Sequence, residues 1–298
     1  MFKVDWDRYP VEEYARQVLS TFDLTDHVLR IDSREKLAAL RHLPSVKDLA
    51  INGCFTSAEL RTGLRGGPWN ELIFRQNPCM TELSFLADCA EQLKGLFLGF
   101  CPAVRDLGPL AALPALRLVD LDMSRVPYAA LAATASKALD SLKLNRLTAE
   151  RLSQLPAQRE LRSLTINGTV PLEIDSLEGW TRLQKLELET RTPVRPLLAA
   201  LRRSPQVAHV ALSLPSLTEC ADERPVPSVE SLVLALGTDM LGLDRIPRVF
   251  PGPRWVMLAP PTDVVHVDLT PLQAMPRCRV IVTGRAEITG GEGLDVGR

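Results

Sequence analysis

One hexapeptide pattern, apolar-x-x-apolar-x-apolar, recurs through this chain at a nearly constant step, and no other feature restricts its fold as much. In a single register it occurs as VKDLAI from residue 46, WNELIF from 69, LKGLFL from 93, LRLVDL from 116, LDSLKL from 139 and LRSLTI from 161. It continues as LQKLEL from 183, VAHVAL from 207, VESLVL from 229, PRWVML from 253 and RCRVIV from 277, with successive starts 22–24 residues apart. Of the 33 apolar slots only Pro253 and Arg277 break the rule, whereas a chain with 46 % hydrophobic residues would fill about half by chance. The end of each window alternates with the period of a strand, so its fourth and sixth side chains are expected to point into a core and its fifth outward. One such turn cannot bury its apolar face alone, and stacking many turns makes a continuous core. The expected fold is therefore α/β: eleven main parallel strands, one per window, in a solenoid.

The segments between windows must carry the chain back. LAALPAL (110–116) and LEGWTRL (177–183) read as irregular or 3₁₀ returns, and TAERLSQL (148–155) and RPLLAALRRS (195–204) as short helices. Prolines 44, 68, 114, 156 and 205 end returns shortly before the next window. At the start, VEEYARQVLSTF (11–22) places Val11, Tyr14, Ala15, Val18 and Leu19 on one helical face, as a cap would. DHVLRID (26–32) follows as a capping strand, and Ser33 as the N-cap of a helix through Leu37 and Leu40. The last window is followed by TGRAEITGGEGLDVGR, too polar and glycine-rich for a substantial cap, so its strand edge is left to the tail or to a partner.

These windows resemble the leucine-rich-repeat family, whose repeat runs L-x-x-L-x-L-x-x-N/C-x-L over 20–29 residues. The resemblance covers roughly residues 26–284. It implies a curved solenoid with parallel strands on the concave face and short helices and irregular returns on the convex face. The division expected is residues 1–45 as a helical and strand cap, 46–284 as about eleven repeats and 285–298 as a flexible tail. The family's ninth position favours Asn, Cys, Ser or Thr, whose side chains satisfy backbone groups in the turn. Cys54, Asn77, Cys101, Ser124 and Thr169 conform, Leu147 lapses, and Arg191, Pro215, Gly237, Pro261 and Arg285 depart, so later turns must be built differently.

Chemistry-bearing motifs are sparse. There is no GxxxxGK[ST] phosphate loop, and the GGEG of the tail precedes no helix. His27, His42, His209 and His266 are scattered without HExxH or i,i+4 pairing. The six cysteines, at 54, 79, 89, 101, 220 and 278, form no CxxC pair and suggest neither a zinc site nor a disulfide framework; buried free thiols in a reduced cytoplasm are expected. A net charge of −1 with scattered arginines offers no basic stripe for nucleic acid, and no apolar run is long enough for a membrane helix. No catalytic residue, cofactor site or metal site is expected. Asp120/Asp122 and Glu187/Glu189 are what alternating outward strand positions produce.

The outward columns carry the functional expectation. The fifth-position column reads Ala50, Ile73, Phe97, Asp120, Lys143, Thr165, Glu187, Ala211, Val233, Met257, Ile281. The seventh reads Asn52, Arg75, Gly99, Asp122, Asn145, Asn167, Glu189, Ser213, Ala235, Ala259, Thr283. The centre is polar and both ends are apolar, with Phe100 extending one patch and Trp255 the other. Contiguous exposed apolar surface marks contact sites. A protein partner is therefore expected on Phe97, Phe100, Asp120, Lys143, Glu187, Glu189, His209, Val233, Trp255, Met257 and Ile281. A second copy meeting the concave face or the last strand edge is an alternative. The helical lead-in and short repeats also resemble the C-terminal sensor region of bacterial NACHT-type, NLR-like NTPases, which implies ligand sensing in antiviral defence. A free-standing adaptor or inhibitor scaffold, and an enzyme using the concave carboxylates, remain the alternatives.

Overall fold

The computed structural model of the protein describes residues 28–43, 46–89, 92–135, 137–213, 224–236, 242–261 and 266–297. The expected helix over 11–22 lies outside them, as do Cys220 and the turn residues Pro215 and Gly237. The architecture is α/β, dominated by parallel strands, and each of the eleven windows carries a strand beginning at its third residue.

The chain divides into two compact units, residues 1–145 and 146–298. In the first, β1 (Val28–Ile31), β2 (Asp48–Asn52), β3 (Glu71–Arg75), β4 (Gly95–Gly99), β5 (Leu118–Asp122) and the start of β6 (Ser141–Leu147) pair in sequence order. Equivalent window positions face one another: Leu49, Leu72, Leu96, Val119 and Leu142 form one row. In the second unit, β7 (Ser163–Gly168), β8 (Lys185–Leu188), β9 (His209–Ser213), β10 (Ser231–Ala235) and β11 (Trp255–Ala259) do the same, aligning Leu164, Leu186, Val210, Leu232 and Val256. Every fourth- and sixth-position side chain is buried. The two exceptional windows are accommodated locally: Pro253 is buried, and beside exposed Arg277 it is Cys278, 2 % exposed, that fills the core.

Each return is shaped by where its backbone polar groups find partners. Helix α1 (Arg34–Ala39) starts at Ser33, whose hydroxyl accepts from the Lys36 N–H. Helix α2 (Ser57–Leu64), not foreseen in the sequence, starts with a capping box between Thr56 and Glu59. Glu59 also binds the Arg34 guanidinium at 2.6 Å, tying the two helices together. The expected helix over 195–204 is α3 (Val194–Arg203), with an apolar face of Val194, Leu197, Leu198 and Leu201 buried. The expected helix over 148–155 is instead a short 3₁₀ turn, Leu152–Gln154. Arg151 there is extended and bridges Glu173 in parallel, and the Leu152 N–H goes to the Glu173 carbonyl. Those backbone groups are spent between repeats rather than within a helix. Later returns of the second unit contain a short helical turn, α4 (Ile246–Val249), and a 3₁₀ turn, Thr270–Ala274.

The turns after the strands follow the expected ninth-position chemistry only in part. Asn77, fully buried, accepts the Phe55 N–H of the preceding repeat at 3.1 Å, and the Thr169 hydroxyl donates to the Leu147 carbonyl. Later turns use threonines at other positions: Thr190 donates to the Val170 carbonyl and Thr283 to that of Leu258. Cys54 departs from the expected free thiol. It is bonded to Cys79 in the next repeat, with Cα atoms 5.0 Å apart, while Cys101 and Cys278 are free and buried. Twenty-five residues separate Cys54 from Cys79, so only stacking of neighbouring repeats brings them together.

The tail expected to be flexible contains strands. β12 (His266–Asp268) pairs in parallel with β14 (Glu287–Thr289), and β15 (Asp295–Gly297) pairs with β13 (Arg279–Val282). The last window strand therefore does not end in an open edge. Gly290, at φ 64°, allows this: a Cβ there would lie 2.2 Å from the Thr270 hydroxyl.

Candidate functional site

The outward faces of β8, β9, β10 and β11 form a depression of about 510 Å³ in the second unit. Its lining includes Glu187 and Glu189 from β8 and the turn after it, followed by Thr190 and Arg191. Ala211 and Ser213 from β9, Val233 and Ala235 from β10, and Ala259 from β11 also line it, with Leu188 and Leu212 beneath. The shape follows from size: fifth- and seventh-position side chains stand side by side about 4.8 Å apart, and a run of alanines between larger neighbours leaves a hollow. Volumes of about 300–1,000 Å³ are typical of sites that take ligands or anchoring side chains.

The acidic wall is held in place. The Glu187 carboxylate accepts the Thr165 hydroxyl at 2.6 Å and pairs with the Lys185 ammonium at 2.7 Å. Glu189 accepts the Asn167 amide at 3.1 Å. Thr165 is itself 6 % exposed, so its hydroxyl must find a partner at once, and Glu187 supplies it. These carboxylates are fixed acceptors with preset orientation, the property that supports recognition of a complementary surface.

Beyond the hollow, Met257 and Ile281 continue the column of Val233 in register, with Trp255 beside them at the third position. All four are half-exposed, so the later repeats keep these side chains outward and the tail strand leaves them accessible. His209 is exposed at the third position of β9. Of the expected contact residues, the structure gathers Glu187, Glu189 and Val233 in the depression, with Met257, Trp255 and His209 on the same set of strands and Ile281 on the neighbouring β13. Thr190 and Arg191 were not foreseen. They lie just past the strand, where alternation no longer says which way a side chain points.

Within the first unit, Ile73, Phe97, Asp120 and Lys143 succeed one another in one row. Asp120 accepts the Asn145 amide. Phe100, 56 % exposed, is the exposed large hydrophobic residue among the described residues. It stands in the left-handed region at φ 56°, as do Gln76 and Arg146 at the equivalent position of other repeats. Its N–H donates to one oxygen of Asp122 at 3.1 Å, while the other oxygen accepts from the Ser124 N–H at 3.0 Å. On the return side of the second unit, Arg202 on α3 donates twice to the Arg224 carbonyl, at 3.0 and 2.6 Å.

Among the described residues no helix is long and apolar enough to cross a membrane, and no three His, Cys, Asp or Glu side chains cluster as metal ligands. Compared with models of known families and with curated proteins, the chain matches none.

Proposed function

We propose that this chain is a leucine-rich-repeat recognition module that binds a protein partner on the outward face of its strands. The observation that carries the reading is the half-exposed row Val233, Met257 and Ile281, with Trp255, beside a hollow walled by oriented carboxylates. Large apolar side chains surrounded by fixed polar groups are the composition of an interface centre and its rim. Small alanines at the hollow let a partner's side chains approach closely. The net charge of −1 favours a protein over a polyphosphate partner. In this reading the face works by binding rather than by catalysis, and Glu187 and Glu189 set orientation more than affinity.

The short repeats, and the helical lead-in that the sequence alone leads one to expect, further suggest the sensing portion of a bacterial NLR-like defence protein acting in the cytoplasm. A compartment of that kind would hold Cys54 and Cys79 mostly as thiols, so their redox state in cells bears directly on this part of the proposal.

The test is co-purification from bacterial cells, with and without phage infection, using the wild-type chain, Trp255→Ala, Met257→Asp and the exposed return-side control Glu178→Ala. Truncating an anchor typically costs about 1–3 kcal/mol, or roughly five- to 150-fold in affinity. The expected result is a partner retained by wild type and Glu178→Ala and lost with the two face variants, all melting alike. A partner held equally by all four chains would place the working surface elsewhere.

A further inference from the structure

We infer that Cys54 and Cys79 form a reversible thiol–disulfide switch, set by exchange with low-molecular-weight disulfides such as glutathione disulfide, that locks together the turns of the first two windows. Cys54 is exposed and Cys79 half-buried, with Cα atoms 5.0 Å apart, inside the range of about 4.4–6.8 Å that a disulfide spans. A thiolate from solution therefore reaches the pair without unfolding the chain, and exposed disulfides are the labile, regulatory ones. Cys101 and Cys278 are buried, so neither is open to the same attack. The fold also keeps the two positions together when the bond is broken. Buried Asn77 accepts the Phe55 N–H at 3.1 Å. Buried Ser57 donates to the Glu82 carbonyl and accepts from the N–H groups of Thr81 and Glu82, each at 3.2 Å. On the other side of the Cys54 turn, Arg34 donates to the Cys54 carbonyl at 3.3 Å. None of these bonds involves a sulfur, and leaving such buried groups unpaired is costly, so the dithiol form stays folded with its thiols adjacent. Each repeat of a solenoid contacts only its neighbours, so the covalent tie acts on one interface, that of β2 and β3 with their turns.

Oxidation proceeds in two displacements. The thiolate of exposed Cys54 attacks one sulfur of glutathione disulfide, forming a Cys54–glutathione bond and releasing one glutathione thiolate. The Cys79 thiolate then attacks the Cys54 sulfur, forming the protein disulfide and expelling the second glutathione thiolate. The chain gives up two electrons and two protons, and glutathione disulfide takes them up as two glutathione thiols. Excess glutathione drives the same steps backward.

The test is equilibration of the full chain in buffers of fixed glutathione to glutathione disulfide ratio, then acid quench, alkylation with N-ethylmaleimide and peptide mapping by mass spectrometry. The expected result is the Cys54–Cys79 disulfide in glutathione disulfide alone, the dithiol in glutathione alone, and a midpoint between them. Cys79→Ser should accumulate a glutathione adduct at Cys54 at least roughly tenfold faster than Cys54→Ser accumulates one at Cys79, with both variants melting like wild type in reducing buffer. Exchange of the Thr81 and Glu82 amide hydrogens requires the two turns to part, and should slow at least roughly tenfold in the disulfide form. The Thr169 amide, bonded to the Leu147 carbonyl in the second unit, serves as a control and should not change. A disulfide that survives glutathione alone is a permanent staple, and a pair that stays reduced in glutathione disulfide alone is not a redox couple; either result overturns the inference. So does an adduct that prefers Cys79, or exchange at Thr81 and Glu82 indifferent to redox state, and the wild-type titration and hydrogen exchange decide the matter even if a variant fails to fold.

Discussion

Replacing Leu164 tests the repeat register at its most sensitive point. Leu164 is fully buried at the fourth position of its window and faces Leu186 across the β7–β8 ladder. Truncation to alanine removes three buried carbon atoms and leaves a void that flanking repeats fill only partly, a loss of about 2–5 kcal/mol. At about 2–4 °C per kcal/mol for a unit of this size, the melting temperature should fall by roughly 4–20 °C. Leu164→Asp is worse, because the carboxylate enters a row of apolar side chains, Leu186, Val210 and Leu232. Such burial costs several kcal/mol beyond the void, comparable with a whole domain's stability of about 5–15 kcal/mol. The paired control is Ser163→Asp, one residue earlier and half-exposed on the opposite face. Thermal and urea denaturation followed by circular dichroism should rank the chains as wild type close to Ser163→Asp, then Leu164→Ala, then Leu164→Asp. Equal melting of Leu164→Asp and wild type, or a larger loss at Ser163, would refute the inward assignment.

Cross-linking Cys54 to Cys79, 25 residues apart, should restrict the unfolded chain by about 3–4 kcal/mol. Cys54→Ser should therefore lower stability in oxidising buffer and change little in the presence of dithiothreitol. Burial pushes the free thiols of Cys101 and Cys278 up to about 11, leaving about one thiolate in a thousand at pH 8; iodoacetamide should label them only as the chain unfolds, as mass spectrometry can follow. Partial burial pushes the Asp175 carboxyl up, but the Ser153 hydroxyl and the N–H groups of Ser153 and Ser176 outweigh it, and the group sits below its ordinary value. Stability from a lowered carboxyl is present above about pH 4 and lost as pH falls through the folded value. Asp175→Asn should thus be less stable than wild type at neutral pH and converge with it in acid, with urea midpoints as the readout.

The strand positions were legible because they depend on alternation within six residues. Leu49, Leu164 and Val256 are buried for the same local reason, and even the 3₁₀ return near 110 and helix α3 follow from short patterns. Outward residues such as Met257 and Trp255 could likewise be placed on the right face. Helix α2 was missed although Thr56 and Glu59 have the spacing of a capping box, a signal available in the sequence. What alternation could not supply is anything made between repeats. Residues about 22–25 apart become neighbours only when the turns stack, which is how Cys54 meets Cys79, Asn77 reaches the Phe55 N–H and Arg151 pairs with Glu173 instead of extending a helix. Stacking also turns three alanines on successive strands, with Thr190 and Arg191 beyond a strand end, into a hollow. Likewise the glycine-rich tail becomes β14 and β15 only because β12 and β13 offer edges to pair with. The sequence by itself determined which side chains enter the core, through a period of two that any single repeat displays. The tertiary structure alone decided which surface groups meet, because those contacts depend on the geometry of neighbouring turns that no single repeat contains.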